Sequence, residues 1–163
     1  MMEPVDVRDL LERPGASREV HVDEAIDGLA SELVSVPDPV RIDLMLESVV
    51  EGILASGPVS GTMSFRCARC LRPSGRSFRL EVAELFAHGA VEADDEYPIK
   101  DRTVDLEPMV RDTVVLAMPF SPLCRDDCLG LCERCGGDRN LGECSCGPSL
   151  DPRWAPLADL RLD

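Results

Sequence analysis

From Pro39 to Ala83 the chain alternates apolar and polar side chains. Val40, Ile42, Leu44 and Leu46 alternate with Arg41, Asp43, Met45 and Glu47, the period of two expected of a half-buried strand. A second apolar run spans Val49 to Ala55 and ends at Ser56-Gly57-Pro58, where a break is predicted. A third strand is predicted where Val59, Gly61, Met63 and Phe65 alternate with Ser60, Thr62, Ser64 and Arg66. In a fourth, Phe78, Leu80 and Val82 alternate with Arg79, Glu81 and Ala83. Four consecutive strands with short connections predict an antiparallel meander.

The flanking regions are patterned differently. Residues 1–35 are acidic and weakly periodic, with a short strand at Val5 to Val7 and a helical turn from Arg8 to Glu12, stopped by Pro14-Gly15. Residues 87–102 read as an acidic loop with a short strand around Tyr97 to Ile99. A helix is predicted next. Asp105 can cap it, Val104 and Met109 are placed as a hydrophobic staple, and Pro108 falls in the first turn, where its missing N–H costs nothing. Leu106, Met109, Val110, Val114 and Ala117 form its apolar stripe, and Pro119 stops it. The tail from Asp151 to Leu160 is expected to form a turn of helix, with Trp154, Leu157 and Leu160 docking on the body. The predicted class is α+β. An antiparallel meander or partly open barrel (1–120) is covered by one main helix, and a cysteine-rich, zinc-knuckle-like segment with the tail follows (121–163).

Composition narrows the function. With 163 residues, 44% hydrophobic and 4% aromatic, the chain can bury an aliphatic core. There is neither an apolar run of membrane-spanning length nor a secretory h-region at the start, so the expected compartment is the cytoplasm, with no membrane partner. Seventeen basic against 31 acidic residues give a net charge of −14, which argues against a protein that coats nucleic acid with its whole surface.

The eight cysteines change the picture most. In a reducing compartment, close cysteine pairs read as metal ligands rather than disulfides. Cys67 and Cys70 form a C-x-x-C turn in the 67–70 loop, and Cys124, Cys128, Cys132, Cys135, Cys144 and Cys146 follow. Eight thiolates divide into two tetrahedral zinc sites. The favoured division is a local site of Cys132, Cys135, Cys144 and Cys146, and a long-range site of Cys67, Cys70, Cys124 and Cys128. One ion held by Cys124, Cys128, Cys132 and Cys135 is a competing arrangement, because the two cysteines of a C-x-C point apart on a strand. Spacing alone also admits an iron–sulfur cluster. The two histidines, His21 and His88, lie far from every cysteine pair, so the expected metals are structural and the protein is expected not to be an enzyme. No phosphate-binding glycine loop or nucleophile elbow is present, and no small-molecule substrate is expected.

One positive island interrupts the acidic chain. Residues 64–80 hold Arg66, Arg69, Arg72, Arg76 and Arg79 and no acid. Guanidinium groups bind phosphate in a two-pronged fork, so this loop is a candidate RNA contact. Equally, the same charges can neutralise thiolate-rich metal sites or pair with acids such as Glu81. Phe65 and Phe78 read as core, which leaves no evident stacking platform.

Cys67-Ala68-Arg69-Cys70-Leu71, the segment Asp105 to Asp112, Leu116-Ala117-Met118-Pro119 and Pro122-Leu123-Cys124 together resemble the YceD family, named for large-subunit ribosomal RNA accumulation. Gly130 to Gly137, Asn140, Cys144-Ser145-Cys146 and the opening Arg8 to Gly15 resemble its Gram-positive branch. The resemblance implies a cytoplasmic, non-enzymatic factor for large-subunit ribosomal RNA accumulation or processing and for ribosome assembly. Its partner would be that RNA or its precursor particle. It also favours pairing Cys67 and Cys70 with Cys124 and Cys128. An acidic module that binds a basic ribosomal or assembly protein is the alternative.

Overall fold

A computed structural model describes residues 2–88, 97–142, 144–146 and 153. In chain order the elements are β1 (Val5–Asp6), α1 (Arg8–Leu11), β2 (Ser17–Glu24), β3 (Val34–Ser35) and β4 (Val40–Ser48). β5 (Gly52–Arg66), β6 (Pro73–Ala87), β7 (Tyr97–Pro98), β8 (Thr103–Val104) and α2 (Leu106–Ala117) complete them. Residues 89–96 of the predicted acidic loop and the tail with Trp154, Leu157 and Leu160 lie outside the described residues.

The alternation in β4 places Val40, Ile42, Leu44 and Leu46 in the core, each 2% exposed or less. Burying such a side chain contributes roughly 1.5–3 kcal/mol. The two runs on either side of Ser56-Gly57-Pro58 are not two strands but one. Across them β5 stays in a single register with β6, from Gly52 opposite Ala87 to Arg66 opposite Pro73. The disturbance falls on the β4 side, where Pro58 has no N–H to donate. Gly57, at φ 143°, allows a close approach there: a Cβ would sit 2.3 Å from the Asp43 carbonyl oxygen.

The main sheet runs β2-β4-β5-β6-β7, and β3 pairs with the far end of β5. Its first four strands are antiparallel, as the meander requires. One feature departs from the antiparallel expectation: the short β7 joins β6 in parallel. The sheet is open, ending at β2 and β7 among the described residues, so of the two alternatives it takes the meander and not the partly open barrel. β2, which the weak pattern of residues 1–35 did not reveal, pairs with β4 over eight residues and alternates exposed with half-buried positions.

α2 begins as its sequence dictates. The Asp105 side chain accepts the Glu107 N–H (3.1 Å). Leu106, Met109, Val110 and Val114 are buried with the strands in one aliphatic core. Ala117 is exposed, against expectation. The helix ends there, the chain turns extended at Met118, and Met118 takes the buried position instead. No helix among the described residues is long and apolar enough to cross a membrane.

Candidate metal centre

A separate small cluster of Cys67, Cys70 and Cys128, with Leu123 and Leu131 against it, lies apart from the main core. Cys67 and Cys70 sit in the turn joining β5 to β6. The Cys67 N–H donates to the Arg72 carbonyl (2.9 Å), and the Leu71 N–H donates to the Cys67 carbonyl (2.9 Å). Leu71 takes a left-handed conformation (φ 60°) to close the loop. The turn at Cys132 repeats this pattern. The Cys132 N–H donates to Gly137 (2.8 Å) and the Gly136 N–H to Cys132 (2.8 Å), with Gly136 at φ 69°. The chain thus builds the same cysteine knuckle twice, once on a hairpin tip and once in the segment after α2.

The structure gathers the eight sulfurs into two tetrads, Cys67/Cys70/Cys124/Cys128 and Cys132/Cys135/Cys144/Cys146, each with all sulfurs within 4.8 Å of one another. The competing set of Cys124, Cys128, Cys132 and Cys135 is not brought together, because Cys144 and Cys146 complete the second group. All eight thiols are free. Cys67 and Cys128 sulfurs are 3.8 Å apart, and those of Cys70 and Cys124 are 3.7 Å apart. Sulfurs at about 2.3 Å from a central ion would stand about 3.8 Å apart at the corners of a tetrahedron. The donor set therefore fits one ion per tetrad.

The electrostatics agree. Burial opposes ionisation of Cys67, yet the backbone N–H groups of Cys124, Cys70 and Arg69 bring its thiol down to about 6. Those of Cys135 and Arg134 bring Cys132 to about 6. Loss of hydration and the neighbouring thiols of Cys128, Cys70 and Cys67 push Cys124 up to about 12. The Cys135 side chain, with loss of hydration and Cys132, pushes Cys146 to about 12. In each tetrad one thiol ionises readily and another resists, as four crowded thiolates must without a cation among them.

The two chain segments are tied together around the first tetrad. Arg69 Nη1 donates to the Cys128 carbonyl (2.9 Å), the Ala68 N–H to Pro122 (2.8 Å) and the Leu131 N–H to the Arg69 carbonyl (3.1 Å). Gly130, at φ 71°, lies under Arg69, where a Cβ would stand 3.0 Å from its carbonyl oxygen. Arg72 forms a 2.6 Å ion pair with Asp138. Asn140 completes the layer. Its Oδ1 accepts the Leu129 N–H (2.9 Å) and Arg125 (2.9 Å), and its Nδ2 lies 3.5 Å from the Cys128 sulfur. Apart from its place in the family resemblance, Asn140 carries no signal in the sequence, since an isolated Asn near a Gly reads as a turn.

The arginine island is therefore not one surface. Arg69 and Arg72 are engaged in holding the cysteine-rich segment after α2. Arg66 and Arg79 are exposed on the outer face of the hairpin, six residues apart along it by register, about 20 Å. Arg79 forms an exposed ion pair with Glu81 (3.4 Å). Arg76 stands opposite Met63 on the other, core-side face.

The sequence model of a family described as large ribosomal RNA subunit accumulation protein YceD matches residues 55–161, a span that includes both tetrads and the arginine hairpin. The chain belongs to the YceD family. Relatives extend beyond that span. An uncharacterized protein of Mycobacterium tuberculosis is 37% identical over 165 residues, covering 96% of this chain and 80% of its own length. One from Mycobacterium leprae is 33% identical over 166 residues, covering 95% and 76%. A protein of Arabidopsis thaliana named large ribosomal RNA subunit accumulation protein YCED homolog 1, chloroplastic, is 32% identical over 66 residues, 40% of this chain and 21% of its own. No solved structure matches this YceD-family chain.

Proposed function

We propose that this YceD-family protein is a non-enzymatic cytoplasmic factor that supports large-subunit ribosomal RNA accumulation by binding that RNA or its precursor particle. Two structural zinc ions are held by Cys67, Cys70, Cys124 and Cys128 and by Cys132, Cys135, Cys144 and Cys146. Closed all-thiolate tetrads with no ligand position left open are the mark of structural zinc. Each ion neutralises its thiolates and cross-links its two chain segments. Arg66, Arg76 and Arg79 make the phosphate contacts, while Arg69 and Arg72 keep the hairpin in place against the metal segment.

The observation that carries this reading is the joining of an acid-free arginine hairpin to a cysteine tetrad, in a family named for ribosomal RNA accumulation. Arg66→Glu with Arg79→Glu tests it while leaving the Arg69 and Arg72 ties in place, at the cost of one long contact from Arg66 Nη1 to the Leu71 carbonyl (3.5 Å). The double variant is expected to lose co-sedimentation with large-subunit precursor particles, and unaltered co-sedimentation would remove the outer face from the interface. Elemental analysis should return two zinc per chain. The net charge of −14 supports a second reading, an acidic module that binds a basic ribosomal or assembly protein. Crosslinking in cells that yields protein adducts and none to RNA would favour it.

A further inference from the structure

Beside the first tetrad a cleft of about 290 Å³ opens between the core-side face of the hairpin, the end of α2 and the chain after it. Met63, Phe65 and Phe78 line it from the sheet, Leu123 from the metal segment, and Arg76 and Asp126 supply its charges. We propose that this cleft receives one unstacked base of single-stranded RNA, with Phe78 as the stacking surface, Arg76 on the adjoining phosphate and Asp126 accepting from an amino edge. The proposal rests on the RNA-binding reading above and gives it a site.

Three observations carry it. First, Phe78 is only half-buried, although its strand position faces the core. It stands opposite Gly61, and two of its ring atoms, Cε1 and Cζ, lie 3.0 Å from the place a Gly61 Cβ would occupy. The ring therefore lies down over the glycine, packed against the edge of the core on one side and lining the cleft on the other. A flat aromatic beside open space is what base stacking requires.

Second, Arg76 and Asp126 are both exposed and form no ion pair with each other or with any other described residue. A guanidinium is thus free to take a phosphate, and a carboxylate is free to accept from an exocyclic amine of a base. Third, the size suits one base and its sugar: the volume is at the lower end for small-ligand sites and far too small for a duplex. The flanking Arg66 and Arg79 lie on the opposite face, so the strand would enter over the edge of the hairpin.

The test is fluorescence anisotropy with the zinc-loaded protein and a labelled mixed-sequence octaribonucleotide, single-stranded or annealed to its complement. Phe78→Leu keeps the apolar bulk and removes the ring. It is expected to weaken single-strand binding about tenfold, with the salt dependence unchanged and duplex binding unaffected. Arg76→Gln is expected to lower the log–log salt slope by about 0.7, the share of one phosphate. Wild-type affinity in Phe78→Leu, alongside lost binding in the Arg66→Glu/Arg79→Glu protein, overturns the cleft and spares the RNA reading. Absence of single-strand binding by the wild-type protein overturns both.

Should Phe78→Leu lose its fold, the wild-type protein crosslinked to the same octamer carrying 5-iodouridine decides. Adducts on Phe78 support the cleft, and adducts confined to the Arg66 and Arg79 face overturn it. Cleft adducts to a protein partner in cells, with none to RNA, also overturn it.

Discussion

At the scale of single residues, Asn140 has the most work for its size. Its amide oxygen takes two donors, Leu129 N–H and Arg125, while its nitrogen faces both the Asp138 carboxylate (2.7 Å) and the Cys128 sulfur. Asp138 is in turn held below the usual carboxylate range, first by the Asn140 backbone N–H and side chain and then by Arg72. The amide thus links a sulfur of the first tetrad to the ion pair that anchors the hairpin. Partners in the layer around metal ligands typically change affinity by about 10–100-fold when lost. Asn140→Ala should therefore release one metal equivalent to a chromophoric chelator at about 10–100-fold lower chelator strength than the wild-type protein needs. Asn140→Asp should be worse, because it sets a carboxylate against the Cys128 thiolate and Asp138. If both variants hold metal as the native chain does, the tetrad is set by its cysteine turns alone.

At the scale of elements, the edge strand β2 offers a test through pH. His21 and Asp43 are directly opposite each other in the β2–β4 register, with Nδ1 2.8 Å from the carboxylate. That contact raises the His21 pKa above 6.5 in spite of the lost hydration that opposes it, and Glu19 adds a lesser push upward. A raised folded-state value means the pairing stabilises fully below about 6.5, the unfolded value, and that this contribution fades as pH climbs through the raised one. Asp43→Asn should move the His21 NMR titration down toward 6.5. The stability gap between wild type and variant should be widest in mild acid and close in alkali; a gap that is flat with pH would assign the pairing to the backbone ladder alone. The same strand marks the limit of sequence reading. β4 was legible because its inner positions are fully buried and its outer ones polar. β2 covers only the sheet edge, where its inner positions are merely half-buried and two of the four, Arg18 and Glu24, are charged beside Val20 and Val22. The single long β5 was hidden for a different reason. Ser56-Gly57-Pro58 has turn composition, but its glycine serves a close approach to β4 and its proline costs the ladder on one side only. The two cysteine turns were legible from spacing, because C-x-x-C fixes a local turn, whereas spacing only favoured the division into tetrads, which depends on where the chain brings Cys124, Cys128, Cys144 and Cys146. The outward placement of Arg66 and Arg79 was legible from strand alternation, but that of Arg76 on the core-side face was not, because β6 begins at Pro73, earlier than the alternation from Phe78 suggests. Phe78, read as core from its alternation, does pack against the core, but over a cross-strand glycine it stays half-buried and also lines the cleft.

At the scale of the whole molecule, the two tetrads do different jobs. The first joins residues 54 apart in sequence, Cys70 to Cys124, and three of its four cysteines are buried. If an ion closes this loop as a disulfide would, it contributes about 4 kcal/mol through the restricted unfolded chain. The second lies within residues 132–146, and its cysteines are half-buried or exposed. The main aliphatic core contains no cysteine at all. Chelation should then proceed in two phases. The second tetrad should give up its ion first, with no change in the sheet. The first should follow more slowly and free the segment after α2 from the hairpin, while the far-UV signal of the strands persists. Cys135→Ser should erase the fast phase and leave one metal per chain. Cys70→Ser should erase the slow one and expose residues 121–142 to protease. The cleft spans the same junction, with Phe78 and Arg76 on the sheet and Leu123 and Asp126 on the metal segment, so Cys70→Ser should also abolish single-strand RNA binding, whereas Cys135→Ser should spare it. One cooperative release that melts the sheet would instead make the metals part of the core's own stability and remove the distinction between scaffold and binding edge.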